Sequence, residues 1–180
     1  MKRYIVPVLT AVLVAVAVAP VIAQEKPAEP SSSTAPVLTV AEWVKGEPVT
    51  LEDGKGKNIY VVEFWATWCP PCRKSIPHLT DLQKKYEEKD VVIVGVTDEG
   101  LETVKPFVEK MADKMDYRIA IDKDRQTFKA FSKVAEIDGI PTAFVIDKTG
   151  KVVWHGHPMG ELEDILEDLT KTSESTTDNA

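Results

Sequence analysis

Both cysteines of this 180-residue chain, Cys69 and Cys72, lie in the pentapeptide W-C-P-P-C at residues 68–72. Their surroundings restrict the fold. Ile59–Trp65 is an apolar, strand-like run, and Pro71–Glu88 carries Ile76, Leu79, Leu82 and Tyr86 at helical spacing. The pair therefore sits where a strand ends and a helix begins. As a structural staple it is poor: a disulfide closing so small a loop stabilises by roughly 2 kcal/mol, against more than about 4 for a long loop. As a zinc or copper site it needs His155 and His157, whose H-x-H spacing differs from the usual gap of about three to five residues. A redox pair needs this spacing, because one thiolate attacks while the second thiol waits to resolve the mixed disulfide. Cys69 falls at the helix N-terminus, where unpaired N–H groups and the dipole favour a thiolate. Pro70 and Pro71 fit the first turn, and Arg73 and Lys74 add positive charge. Cys69 is thus expected to be an exposed nucleophile, and Cys72 a covered resolving thiol.

The same alternation continues along the chain. Strands are expected at 91–96, 117–121, 142–146 and 151–155, and helices at 101–114, 125–131 and 161–170. Val37–Trp43 and Val49–Leu51 suggest a hairpin around Gly46-Glu47-Pro48. The pattern implies an α/β fold, a mixed sheet with helices on both faces. Residues 1–23, with Lys2 and Arg3 ahead of an uncharged run ending in Val21-Ile22-Ala23, read as a signal peptide or an uncleaved anchor. Residues 24–36 read as a polar, proline-containing disordered linker, 37–171 as the folded domain, and 172–180 as a disordered tail. Export places the thiols in an oxidising compartment. The net charge of −7 gives no electrostatic reason to bind nucleic acid or an anionic membrane surface.

Glu63 interrupts I-Y-V-V-E-F-W and shares a strand face with Ile59, Val61 and Trp65. Burial there would raise its pKa toward a range useful for proton transfer; a strand end open to water is the alternative. The segment His155-Gly156-His157-Pro158-Met159 contains copper-compatible ligands, although the end of a strand explains it as well.

V-V-E-F-W-A-T-W-C-P-P-C, followed far downstream by G-I-P-T-A-F-V-I-D, resembles the thioredoxin fold. More narrowly it resembles the TlpA-like or ResA-like extracytoplasmic thiol–disulfide oxidoreductases. The resemblance implies that Cys69 is the nucleophile, Cys72 the resolving cysteine and Glu63 the buried acid that assists Cys72. It implies that Pro141 is a cis-proline presenting the Ile140 backbone to an extended substrate, and that Trp68, Pro70 and Pro71 lie at the contact surface. No metal and no cofactor beyond the Cys69–Cys72 disulfide are implied. The expected setting is the periplasm, with exported disulfide-containing clients and a membrane electron donor that reduces thiols. Ser75 stands where many relatives carry glutamate, which puts more weight on Glu63. Thr142 stands where cytochrome c-maturation proteins often carry glutamate, which weakens apocytochrome c as the client. Two rivals stay open: a copper-handling protein using the cysteines and histidines, and a peroxiredoxin-like peroxidase, whose P-x-x-x-T-x-x-C motif is missing here.

Overall fold

The computed structural model describes residues 33–137 and 139–177, with side chains described as far as Thr172. The expected export segment 1–23, most of the linker and the last residues of the tail lie outside the described residues. The strands are β1 (Val40–Lys45), β2 (Ile59–Phe64), β3 (Val91–Thr97), β4 (Arg118–Asp122), β5 (Thr142–Ile146) and β6 (Val152–Gly156). The main helices are α1 (Pro70–Tyr86), α2 (Leu101–Met111), α3 (Gln126–Phe131) and α4 (Leu162–Thr177).

All six strands form one mixed sheet in the order β1-β4-β3-β2-β5-β6. β2, β3 and β4 run parallel, with α1 and α2 as the crossovers that parallel pairing requires. β5 adds antiparallel to β2, β6 antiparallel to β5, and β1 antiparallel to β4. Every residue of β2 is buried, as expected for a central strand covered on both faces. Ile59, Val61 and Trp65 face a layer that includes Ile76 and Leu79 of α1, Val104 of α2 and Leu162 of α4. Tyr60, Val62 and Phe64 face the other way, onto Phe131 of α3 and Leu51. This is the mixed α/β sheet that the alternation anticipates, in the thioredoxin arrangement that the motif resemblance implies.

Three expectations need correction. The N-terminal hairpin does not form, because β1 pairs with β4 while Val49–Leu51 makes no strand. Gly46, at φ +76°, turns the chain off the sheet edge at a point where a Cβ would lie 2.7 Å from Arg118 Cγ. Pro48 then offers no N–H to a ladder. Leu51 drops into the core, and the Tyr60 hydroxyl donates to the Thr50 carbonyl at 3.1 Å.

The end of the segment assigned to the linker is also ordered. Thr34 bridges antiparallel to Lys151, and Ala35 N–H donates to the Gly150 carbonyl at 2.9 Å. Composition missed this because backbone pairing at an open strand needs no apolar side chain. α4 likewise continues beyond the expected end at Thr170 to Thr177. Once nucleated, a helix extends through its own backbone hydrogen bonds, so polar residues can prolong it.

Candidate active site

Cys69 and Cys72 are joined by a disulfide whose Cα atoms are 5.3 Å apart. β2 delivers the chain to this point through Trp65 and the tight turn Ala66–Trp68, where Cys69 N–H donates to the Ala66 carbonyl at 3.2 Å. Cys69 is the N-cap of α1 in an extended conformation, and its Sγ accepts from the Cys72 N–H at 3.2 Å. A first-turn amide therefore points at the sulfur, and with the helix dipole it favours negative charge there. Pro70 and Pro71 occupy the first two helical positions, where no N–H is needed, and both are exposed.

The expectation of an exposed Cys69 is corrected. Its exposure is 2% and that of Cys72 is zero. Ile140, brought in from 71 positions along the chain, covers Cys69, with its carbonyl oxygen 3.7 Å from Cys69 Sγ. A disulfide sulfur carries no proton, so this is a contact and not a hydrogen bond. The Ile140–Pro141 peptide is cis, and Pro141 is buried immediately before β5. Trp68, by contrast, is 69% exposed beside the covered sulfur.

Glu63 is fully buried, so the alternative of a strand end in water is overturned. Neither carboxyl oxygen has a hydrogen-bond partner among the described residues. Burial pushes its carboxyl up from an ordinary 4.5 to about 8, because the charged form loses its hydration. Ser75 opposes the shift. Its hydroxyl is nevertheless committed to the Cys72 carbonyl at 2.9 Å, so burial dominates. Ser75 thus lies between Glu63 and the residue whose deprotonation Glu63 is expected to assist.

Several residues at the site escaped the sequence reading. Glu99, just after β3, accepts from both the Thr67 amide and, at 2.8 Å, the Thr67 hydroxyl, which fixes the turn leading into Cys69. The signal for it was a polar Asp98-Glu99-Gly100 segment at the C-terminal end of a parallel strand, where α/β folds place their sites. Arg125 pairs with Asp98 at 3.0 Å and stacks over Phe128. With Trp68, Val96 and Ile140 these residues line a cavity of about 280 Å³ beside the disulfide. A larger cleft of about 470 Å³, which includes Lys45, Asp90 and Arg118, lies at the opposite ends of the parallel strands and contains none of Cys69, Cys72, Glu63 and Pro141.

The histidines have other partners. His155 stacks on Phe144 with ring centroids 5.6 Å apart, and His157 Nδ1 accepts from the Met159 N–H at 3.1 Å. Among the described residues no group of three or more His, Cys, Asp or Glu side chains is placed to hold a metal ion.

The model of the AhpC/TSA family matches residues 32–155. The thiol-disulfide oxidoreductase ResA of Bacillus thuringiensis subsp. konkukian is 38% identical over 120 residues, covering 66% of this chain and 65% of that protein. The chain thus spans just under two thirds of the length of the first relatives it matches. ResA of Geobacillus kaustophilus is 34% identical over 130 residues, 71% of this chain and 70% of the relative. Among solved structures, a thioredoxin-family thiol:disulfide interchange protein from Chlorobium tepidum aligns at TM-score 0.62 and 28% identity, over 81% of this chain and 99% of that one. The thioredoxin domain of a thiol-disulfide oxidoreductase from Bacteroides vulgatus aligns at TM-score 0.65 and 28% identity, over 77% and 96% of the two chains. With the family model matched over residues 32–155 and relatives such as these beside it, the chain belongs to the AhpC/TSA family and is a ResA-like protein of the thioredoxin superfamily.

Proposed function

We propose that this chain is an extracytoplasmic thiol–disulfide oxidoreductase that reduces disulfides of exported client proteins by cycling Cys69 and Cys72. The observation that carries the reading is Cys69 Sγ held as the cap of α1, accepting the Cys72 N–H at 3.2 Å. That arrangement favours a thiolate at Cys69. Trp68 beside it offers an exposed aromatic contact, and the Ile140 backbone lies next to the sulfur, suited to an extended peptide.

In the reduced protein the Cys69 thiolate attacks one sulfur of the client disulfide. A Cys69–client disulfide forms, and the other client sulfur leaves as a thiolate that takes a proton. Cys72 gives its proton toward Glu63, and its thiolate attacks Cys69 Sγ. The Cys69–Cys72 bond forms, the mixed disulfide breaks, and the second client sulfur departs. Two electrons have passed to the client, so a dithiol donor must restore the pair, and a membrane thiol-reducing protein fills that role. The periplasmic setting rests on the export-like residues 1–23. Among the described residues no helix is long and apolar enough to cross a membrane.

Cys72→Ser tests the reading, because it leaves the mixed disulfide with nothing to resolve it. Covalent adducts through Cys69 are expected in cells and should disappear in the Cys69→Ser, Cys72→Ser double variant. No adduct in cells rich in exported disulfide proteins, or turnover of peroxide without a protein disulfide, would overturn it.

A further inference from the structure

Among the described residues, buried side-chain polar atoms without a hydrogen-bond partner are both oxygens of Glu63, Trp65 Nε1, Tyr117 Oη and Tyr86 Oη. Such groups are rare in folded proteins, and each calls for an explanation. Three of these residues, Glu63, Trp65 and Tyr117, gather around Gly95. Gly95 of β3 is the register partner of Glu63. A Cβ on Gly95 would lie 3.1 Å from Trp65 Nε1, 3.1 Å from Tyr117 Cε2 and 3.2 Å from Ile119 Cδ1. Only a glycine lets the indole and the phenol close over the sheet beside the carboxyl. The Glu63 charge also reaches Tyr117, whose hydroxyl is held well above its usual range by burial and then by that charge. The donors and acceptors match as well: a carboxylate only accepts, an indole N–H only donates, and a phenol does either.

We propose that Tyr117 and Trp65 are positioning residues for the Glu63 carboxyl, linked to it through ordered water over Gly95, and that the three hold and release one proton as a unit. Buried water is stable where it finds about two to four polar partners, and the Glu63 carboxyl, the Trp65 indole N–H and the Tyr117 hydroxyl are candidates for that number. With Glu63 ionised, the phenol and indole hydrogens point toward the carboxylate through that water. When the carboxyl gains a proton it becomes a donor, and the phenol turns to accept. No partner is lost in either state. The use of this proton, taken from Cys72 as the thiolate forms, rests on the oxidoreductase reading above. Tyr86 of α1 and, once reduced, Cys69 and Cys72 are titratable groups that belong to the same layer. Gly95 of β3 and Ala143 of β5, in register with Glu63, bring none. Arg73 of α1 stacks over Phe107 of α2, which packs on Trp65 at 5.5 Å.

The test uses the oxidised protein, so it reads no activity and stays separate from the Cys72→Ser experiment. Infrared titration of the buried carboxyl band, assigned by its loss in Glu63→Gln, should give a midpoint near 8. Tyr117→Phe removes a donor to the charged form and should raise that midpoint by about one pH unit, a tenfold change in the ionisation constant. Trp65→Phe should raise it in the same direction. In the unmutated protein the Raman ring doublet of a tyrosine should change with the same midpoint, and Glu63→Gln should abolish that change. A folded Tyr117→Phe with an unmoved or lowered midpoint would overturn the proposal. So would tyrosine modes that stay flat through the carboxyl titration, a result that requires no variant to fold.

Discussion

Replacing Glu63 by glutamine should stabilise the oxidised protein, by an amount that depends on pH in a defined way. The folded carboxyl titrates near 8 and an ordinary one near 4.5, because burial penalises the charge by more than Ser75 offsets. Below pH 4.5 the group is protonated in both states and contributes no difference. Between 4.5 and 8 the unfolded chain has released the proton that the folded chain retains, so stability falls as pH rises. Above 8 both states are ionised and the slope flattens. At about 1.36 kcal/mol per pH unit, the burden is less than about 1 kcal/mol at pH 5, about 3 at pH 7 and about 5 above pH 8. Glutamine has nearly the same shape and no charge, so the variant should escape this burden. Urea unfolding at pH 5, 7 and 8.5, followed by circular dichroism with the disulfide closed, measures the difference directly. Parent and variant should nearly coincide at pH 5 and separate progressively above it. A difference that is constant across the three pH values, or one that favours the parent increasingly as pH rises, would refute the reasoning.

Glu99→Ala should cost about 2 kcal/mol in urea unfolding, since the Thr67 amide and hydroxyl both lose a charged acceptor. It should also slow disulfide reduction by loosening the turn before Cys69. Gly95→Ala should cost about 1–3 kcal/mol by overpacking, because its Cβ would press on Trp65, Tyr117 and Ile119 at 3.1–3.2 Å. A thermal melt without a downward shift would contradict that. Trp68→Ala, at a residue 69% exposed, should change stability by less than about 0.5 kcal/mol while raising KM for a protein disulfide. A small disulfide such as dithionitrobenzoate should be reduced at an unchanged rate.

Much of the fold was legible because it is local. The spacing of Ile76, Leu79, Leu82 and Tyr86 marks the face of α1, and those residues are buried. The run V-V-I-V-G-V reads as a buried strand, and β3 is buried almost throughout. The hairpin expectation failed because turn residues such as Gly46 and Pro48 record that the chain bends without recording which strand lies beside it. The partner of β1 turned out to be β4, some eighty residues away, by a register that no local pattern encodes.

The sequence by itself determined the order of strands and helices, the placing of two sulfurs at the first turn of a helix, and an acid on an otherwise apolar strand face. Each is a matter of spacing within a few residues, set by the periods of helix and strand. Tertiary structure alone decided that Ile140 covers Cys69, that Glu99 ties down Thr67, and that Trp65 and Tyr117 meet over Gly95, the register partner of Glu63. These meetings depend on strand order and register, which bring together segments that the chain keeps far apart. The reactivity expected at W-C-P-P-C was readable from one short stretch, whereas its cover and its proton partner exist only once the sheet has closed.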